Sequence, residues 1–426
     1  MMAAVWACGD TFGIPIPADP AALREGGTDF LTRVMHAAGT LAADNRVTAI
    51  TRCDDVRGGS TGRKLLLSVD YARAEARSPR ELFVKFSRDL DDPIRDLGRT
   101  QMQGEVRFAL LSRAPDFPIA VPACAFADYA SVSGTGILIT ERIGFGRGGV
   151  EPQYEKCRDE ELPEPIEHYR AILTAMARLA AADRTGRLPG DIGMQFPFEF
   201  DRLSVGERAP RTSQQLRNRV ARYGTFAAKH PWLLPDNLRT ADFIARLGDE
   251  VARVAERRDA IRHELMSTPE HVALCHWNAN VDNAWFWRES GALRCGLMDW
   301  GCVARMNVAM ALWGALSAAS TDLWNHHADA LLAHFTDEFS AAGAAAPDPR
   351  RLERQLVLYA CLMGITWLLD APAYIEREVP QLASVESRLD PRLRDSETAR
   401  VQLQMLTNVL GLFARHDITR LLGETC

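Results

Sequence analysis

The chain has 426 residues, of which 47% are hydrophobic and 25% are charged, and these are ordinary values for a globular protein. This length favours two lobes or two domains over one. The formal net charge of -6 gives no reason to expect nucleic acid or an anionic membrane as a partner.

The first 145 residues have the pattern of a helix followed by a sheet. Residues 1–40 form an N-terminal extension, in which apolar periodicity predicts a helix over Thr28–Ala42. Residues 41–145 form a sheet-rich lobe, whose first three strands follow one another as a meander. Glycines at 144, 146, 148 and 149 then predict a flexible joint. The predicted elements of the lobe are the strands Val47–Ile50, Leu65–Tyr71 and Glu81–Phe86, a helix over Gly98–Arg113, the stretch Ile119–Tyr129 and a buried strand over Gly136–Arg142.

Helical periodicity dominates residues 146–426. One interruption, His271–Gly301, has the pattern strand, loop, strand, turn, strand. The sequence therefore predicts an α+β fold with a small β-rich lobe and a larger, mainly helical lobe, and a cleft between such lobes is a natural ligand site. The predicted helices are His168–Asp183, Ser213–Lys229, Ala241–Leu265, Asn307–Ala319, Leu323–Ala342, Arg350–Leu369 and Thr398–Leu422.

The cysteines and the apolar runs of the sequence indicate where in the cell the protein is expected. Nine cysteines are scattered without a C-x-x-C pair, so we expect reduced thiols in a cytoplasmic protein and neither a zinc site nor a disulfide framework. The first residues lack the pattern of a signal peptide. The longest apolar run, near residues 356–369, is too short for a membrane span and predicts a buried helix.

A glycine-rich turn joins the first two predicted strands. It consists of Gly58, Gly59, Ser60, Thr61 and Gly62. Glycines allow backbone amides to approach a phosphate closely, but a simple hairpin turn requires the same residues, so both interpretations stay open.

A lysine in an apolar strand is the next candidate. Lys85 stands within Leu82–Phe86, and its charge requires either solvent on one face of the strand or a buried partner. If the ammonium points to nucleotide phosphates, Glu105 on the following helix is the expected carboxylate partner.

Polar residues cluster after the strands of the 271–301 stretch. Asn283 and Asp299 follow two successive strands and offer the hard oxygen ligands that Mg²⁺ prefers. Asp282 is a further acid. His276 is a candidate base or ligand, although a histidine behind a buried strand is more often a structural group. A catalytic zinc site and a Ser-His-Asp hydrolase are not supported, because no second histidine has ligand spacing and no G-x-S-x-G motif is present.

In order along the chain, these motifs are GGSTG at 58–62, FVKF at 83–86, GEVRF at 104–108, ILITERI at 137–143, HWNANVDN at 276–283 and LMDWG at 297–301. The ordered set resembles the aminoglycoside-phosphotransferase and choline-kinase-like group of small-molecule kinases, including its ecdysteroid-kinase-like branch. The match covers residues 28–320. The resemblance implies a bilobal protein-kinase-like fold and an ATP-dependent, Mg²⁺-dependent transfer of phosphate to a hydroxyl of a small molecule.

The resemblance also implies roles for single residues. Gly58 to Gly62 would cover the ATP phosphates, and Lys85, paired with Glu105, would hold the α- and β-phosphates. Thr140, Glu141 and Arg142 would present backbone groups to adenine. Asn283 and Asp299 would bind Mg²⁺, and His276 would support the loop.

This chain departs from the family pattern at the catalytic loop. The family motif is H-G-D-x-x-x-x-N, and here Trp277 and Asn278 replace its glycine and its catalytic aspartate. An amide cannot act as a general base, although its oxygen can orient a hydroxyl. Asn307 stands where a further family aspartate is usual. Besides a kinase, the sequence therefore allows a nucleotide-binding pseudokinase with a regulatory or scaffold role, or an enzyme that transfers AMP.

Overall fold

The computed structural model describes residues 5–56, 62–74, 79–89, 92, 95–200, 203, 205 and 211–423, with the backbone alone for 95–100. The chain forms two compact units, described one at a time below. Its fold class is α+β, as predicted, with a sheet-rich unit and a mostly helical unit. Unit 1 comprises Met1–Pro152, Leu188–Pro197 and Gly296–Ala304, and unit 2 comprises Gln153–Arg187, Phe198–Cys295 and Arg305–Cys426.

Unit 1 is built on a five-stranded antiparallel sheet in the order β3-β4-β5-β7-β6. The meander predicted for its first three strands is confirmed. Alternate residues of β4, among them Leu65 and Leu67, are fully buried, as expected for a strand with one face on a core. The strands are β3 (Val47–Val56), β4 (Lys64–Tyr71), β5 (Glu81–Phe86), β6 (Cys124–Ala130) and β7 (Thr135–Glu141).

Helix α1 (Pro20–Ala37) contributes buried residues to the core of this sheet. The helix is broken at Gly27, whose φ of 54° and ψ of -144° are not helical, and its second segment begins at Thr28 as predicted. The segment before the break was not predicted, and Asp19 caps it by accepting a hydrogen bond from Ala22 N–H at 2.9 Å, with proline in the first turn. Two short paired strands, β1 (Trp6–Cys8) and β2 (Pro15–Pro17), were not predicted because three residues are too few for a periodic signal. The helix after β5 is α2 (Arg95–Leu111).

Unit 2 contains most of the helices and the hairpin of β9 (Ala284–Glu289) and β10 (Ala292–Leu297), whose last two residues belong to unit 1. Ser290 and Gly291, at the predicted turn, both have positive φ. Strand β8 (Val272–His276) precedes the hairpin, and β11 (Val303–Asn307) runs from unit 1 into unit 2. The helices of unit 2 are α3 (Pro165–Arg184), α5 (Ser213–Lys229), α6 (Ala241–Glu256), α7 (Arg258–Met266), α8 (Val308–Leu316), α9 (Thr321–His326), α10 (Ala328–Ala341), α11 (Pro349–Thr366), α12 (Ala371–Glu378), α13 (Pro391–Arg394), α14 (Glu397–Arg415) and α15 (Ile418–Gly423), while α4 (Ile192–Gln195) lies in unit 1.

Three predicted helices are each interrupted in the structure. The breaks lie at Arg257, His327 and His416, where the backbone leaves helical torsion angles, with φ -95° and ψ 10° at Arg257. The apolar pattern continues across these breaks because both pieces bury residues in unit 2, so periodicity alone did not detect them. Within the described ranges, no single helix has the length and apolarity of a membrane span, although α11 and residues 368–378 pass that test together across a 41° bend.

Candidate functional site

In unit 1, the side chain of Lys85 lies between two carboxylates. Its Nζ is 2.7 Å from Oε2 of Glu105 and 2.7 Å from Oδ1 of Asp299. The side chains of Lys85 and Glu105 are 2% and 4% exposed, whereas that of Asp299 is 38% exposed. Of the two interpretations of Lys85, a solvated strand face is therefore wrong, and the predicted pairing with Glu105 is present.

The charges of this cluster follow from its burial. Burial alone would lower the pKa of Lys85, but the charges of Glu105 and Asp299 outweigh it, and the pKa lies above its ordinary value. Burial raises the pKa of Glu105, and the positive charge of Lys85 opposes that shift. The positive charge of Lys64, which is opposite Lys85 on the neighbouring strand, also lowers the pKa of Glu105, and the exposed member of the cluster is Asp299.

The backbone of Asp299 is held in an unusual conformation. Its φ of 58° and ψ of 68° are left-handed, which costs a non-glycine residue about 1–2 kcal/mol. The next residue, Trp300, stacks on Phe108 with 3.7 Å between ring centroids, and its Nε1–H donates to Leu297 O at 3.0 Å. Phe108 lies three residues after Glu105 on α2, so one face of that helix contacts both Lys85 and Trp300.

The glycine-rich turn is described only at its last residue. Gly58, Gly59, Ser60 and Thr61 lie outside the described residues, so their predicted contact with phosphate stays a prediction. Gly62 has a φ of 107°, and a Cβ added to it would lie 2.1 Å from Phe86 O. Only glycine fits this position, directly beside the end of the strand that carries Lys85.

The predicted adenine-contacting residues close strand β7. Glu141 N–H donates to Ala123 O at 2.8 Å, and Arg142 N–H donates to Glu81 O at 3.0 Å. Thr140 is buried and paired on both sides in the sheet. The backbone N–H groups of Glu141 and Arg142 already donate hydrogen bonds within unit 1. Of their backbone groups, only the carbonyls could therefore contact an adenine base.

In unit 2, the loop after β8 is organised around Asn278. Its Oδ1 accepts hydrogen bonds from Lys156 Nζ at 3.1 Å and from Asn280 Nδ2 at 2.7 Å. Its N–H donates to Nδ1 of the buried His276 at 3.2 Å, so that nitrogen is an acceptor and His276 supports the loop. Asn283 Nδ2 donates to Asn278 O at 2.9 Å, and its amide oxygen is thereby fixed in orientation.

The departure at Trp277 has a structural explanation within unit 2. Its Nε1–H donates to the hydroxyl of Tyr359 at 2.9 Å, which in turn donates to Val205 O at 2.9 Å. The backbone of Trp277 approaches Gly314 of α8 so closely that an added Cβ would lie 2.0 Å from Trp277 O. The tryptophan is therefore packed against α8 and α11.

Asn307 also has a structural role. It is fully buried, its Oδ1 accepts from Ala309 N–H at 3.0 Å at the start of α8, and its Nδ2 donates to Leu265 O and to Gln355 Oε1. All of its hydrogen-bonding groups are thus engaged within unit 2, and the side chain acts as a helix cap.

Sequence reasoning missed Lys156. This residue follows Glu155 in a stretch of mixed charge that also contains Arg158, and its Nζ lies 3.8 Å from Asp282 Oδ2 in addition to its contact with Asn278. No local signal in the sequence marks this lysine, because it stands two residues from Arg158 among acidic side chains, as surface lysines often do.

The candidate oxygen ligands suit Mg²⁺ better than a metal ion that is coordinated entirely by protein side chains. Among the described residues, no group of three or more histidine, cysteine or acidic side chains is arranged to hold a metal ion. Mg²⁺ commonly takes only one or two carboxylates and completes its shell with substrate phosphates and water. In unit 1 the exposed carboxylate of Asp299 is a ligand of that kind, and so, within unit 2, is the oriented amide of Asn283.

Comparisons with known proteins returned similar structures only. No protein family model and no curated protein sequence matches the chain. A spectinomycin phosphotransferase solved with ADP and spectinomycin has 12% identity and a TM-score of 0.43, with 86% of this chain and 93% of that chain covered. A putative aminoglycoside phosphotransferase from Ralstonia eutropha has 12% identity and a TM-score of 0.44, with 92% and 97% covered. An ethanolamine kinase from Plasmodium vivax has 14% identity and a TM-score of 0.43, with 91% and 87% covered.

Proposed function

We propose that this protein is an ATP-dependent phosphotransferase that acts on a hydroxyl group of a small molecule. The observation that carries the proposal is the buried Lys85 ammonium held between Glu105 and Asp299. Burying a charge is costly, and a purely structural role would be filled as well by apolar residues. A lysine fixed by a buried glutamate and an exposed aspartate is instead suited to phosphate and a divalent cation.

Lys85 would contact the α- and β-phosphates of ATP, and Asp299 and Asn283 would be the ligands of Mg²⁺. When bound, the ion would neutralise negative charge on the phosphates. The solvent exposure of the Asp299 carboxylate, at 38%, supports cation binding at that residue. A cytoplasmic location is part of the proposal, because the nine cysteines of the sequence are scattered without a C-x-x-C pair.

In the proposed reaction the acceptor oxygen forms a bond to the γ-phosphorus while the bond from that phosphorus to the bridging oxygen of ADP breaks. Asn278 cannot take the hydroxyl proton. The transition state of phosphoryl transfer is loose, so the proton can leave late, to an oxygen of the transferred phosphoryl group. We expect the missing base to slow transfer by about 10²–10⁴-fold relative to an aspartate.

A second candidate, a nucleotide-binding pseudokinase with a regulatory or scaffold role, is favoured by one observation. The Asn278 carboxamide oxygen accepts two hydrogen bonds from within the protein, so both of its lone pairs are used and neither is left for an acceptor hydroxyl. In this alternative the Lys85 cluster binds nucleotide and no group is transferred.

Binding and turnover separate these candidates. Purified protein would be titrated with ATP and Mg²⁺ and followed by thermal shift, and then assayed for turnover with a panel of hydroxylated metabolites. We expect binding in the wild type and its loss in Lys85→Ala and Asp299→Ala. Absence of Mg²⁺-dependent ATP binding by the folded wild type would overturn the proposal.

The product distinguishes the remaining alternatives. Release of ADP with a phosphorylated acceptor supports the kinase, whereas release of pyrophosphate would identify AMP transfer. Binding without turnover across the panel would favour the pseudokinase. An Asn278→Asp variant that gains turnover would show that the absent acid limits a competent site.

A further inference from the structure

Lys156 is a charged residue in direct contact with Asn278, which stands at the position of the absent aspartate. Its Nζ lies 3.1 Å from the Oδ1 of Asn278 and 3.8 Å from the Oδ2 of Asp282, and its side chain is 16% exposed. A lysine on a free surface would keep its full conformational freedom and gain little from such contacts. Lys156 instead has its ammonium directed at the centre of the loop.

The backbone around Lys156 is held from both sides. The Nε of Arg400 donates to Lys156 O at 2.9 Å, and a terminal nitrogen of Arg400 donates to Oε2 of Glu155 at 3.0 Å. Cys157, which follows, is in the left-handed region with a φ of 59°. A chain segment in such a conformation persists only where its surroundings enforce it, so the position of Lys156 is fixed by α14.

The hydrogen bonds of Asn278 and Lys156 indicate which of the two side chains can still bind a ligand. The Oδ1 of Asn278 has two lone pairs and already accepts from Lys156 and Asn280. An ammonium has three N–H donors, and among the described residues only the Asn278 oxygen lies within hydrogen-bonding distance of Lys156 Nζ, while Asp282 Oδ2 is 3.8 Å away. The ammonium of Lys156 therefore has N–H groups that could donate to an incoming anion.

We propose that Lys156 is a catalytic residue whose ammonium contacts the transferred γ-phosphoryl group, with Asn278 orienting it. This inference rests on the proposed phosphotransferase function. Lys156 already has the carboxylate of Asp282 at 3.8 Å, and an aspartate at position 278 would add a second negative charge that repels phosphate, whereas a neutral amide adds none. A positioned cation stabilises the negative charge on the oxygens of the transferred group, which is the largest electrostatic demand of this reaction.

The test compares affinities for ATP and ADP in the presence of Mg²⁺, because only ATP carries the γ-phosphoryl group. Calorimetric titration of the full chain would be carried out on the wild type, Lys156→Met, Lys156→Gln and Lys156→Arg. Loss of one charge-assisted contact should weaken ATP binding by roughly 10- to 100-fold and leave ADP binding unchanged. Lys156→Arg should retain most of the preference for ATP.

Matched controls separate this role from a structural one. Lys229→Met removes an exposed lysine at the end of α5 and should leave both affinities unchanged. If Lys156→Met or Lys156→Gln lowers the affinities for ATP and ADP equally, or lowers neither affinity, the inference is overturned while the proposed function stands. If the wild type binds neither nucleotide, the proposed function fails, and this inference fails with it. If Lys156→Met does not fold, Lys156→Gln carries the test.

Discussion

The indole of Trp300 stacks on the phenyl ring of Phe108, with 3.7 Å between the ring centroids and 20° between the planes. Phe108 is 1% exposed and Trp300 is 4% exposed. The contact holds the residue that follows Asp299, whose own backbone is in the left-handed region. Removing it should therefore affect both the stability of unit 1 and the position of the Asp299 carboxylate.

We expect Phe108→Ala to destabilise the protein by about 3–5 kcal/mol, because it removes a buried aromatic side chain and leaves a cavity. The affinity for Mg²⁺ and ATP should fall as well, since Asp299 loses its fixed conformation. The matched control is Phe335→Ala. This phenylalanine is also 1% exposed, but it lies in unit 2 and is distant in sequence from Asp299. Chemical unfolding and nucleotide titration measure the two effects, and equal loss of nucleotide affinity in both variants would contradict the assignment.

The buried pair of Lys85 and Glu105 permits a double-mutant test. Lys85→Met leaves the carboxylate of Glu105 buried without its cation and should cost about 3–5 kcal/mol. The double variant Lys85→Met with Glu105→Leu should recover most of that loss, because two apolar side chains leave no buried charge. Neither variant should bind ATP. If the double variant loses as much unfolding free energy as the two single variants combined, the two residues are not coupled.

The sequence predicted the parts of this arrangement that depend on local patterns. Alternation in β4 and the apolar run around Lys85 predicted the meander, and a buried lysine required a carboxylate on the next helix, which is Glu105. Residues 276–283 were predicted as a polar loop from the strands on either side. These inferences depend on residues within about one or two elements of each other.

The parts that could not be predicted depend on contacts between distant segments. Lys156 and Asn278 are 122 residues apart, and no local pattern relates them. The same holds for Trp277, whose bulk is accommodated by Tyr359 and by the absence of a side chain at Gly314. Helix breaks such as the one at Arg257 were missed because burial continues on both sides of the break.

The close approach of Trp277 to Gly314 gives a third prediction. Gly314→Ala would place a Cβ 2.0 Å from Trp277 O, so either the loop or α8 must shift and stability should decrease by at least about 1–3 kcal/mol. Gly411→Ala on α14 is the control, since nothing lies within 4 Å of its added Cβ, and the gain in helix propensity should stabilise it by up to about 1 kcal/mol. Thermal unfolding and tryptophan fluorescence measure the difference. Equal stability of the two variants would show that α8 can shift to accommodate the added Cβ without loss of unfolding free energy.

The fourth prediction concerns pH and the buried Asp159. Burial raises its pKa to about 6, against the lowering effect of hydrogen bonds from Ser320 N–H and the Tyr169 hydroxyl. In the unfolded chain the pKa is 3.8. Between these values the folded state binds more protons than the unfolded state, so the contribution of Asp159 to stability falls as pH rises from about 4 to 6 and stays low above.

Asp159→Asn removes this titration, so the stability of the wild type relative to the variant should fall by roughly 2–3 kcal/mol between pH 4 and pH 7. Chemical unfolding at a series of pH values measures the difference. Asp322→Asn, at a side chain that is 79% exposed, should show no comparable trend. Tyr169→Phe provides a second check, because loss of a hydrogen bond to the carboxylate should raise the pKa of Asp159 further and extend the decline to higher pH. A difference between wild type and Asp159→Asn that does not vary with pH would show that this carboxyl has the same pKa in both states.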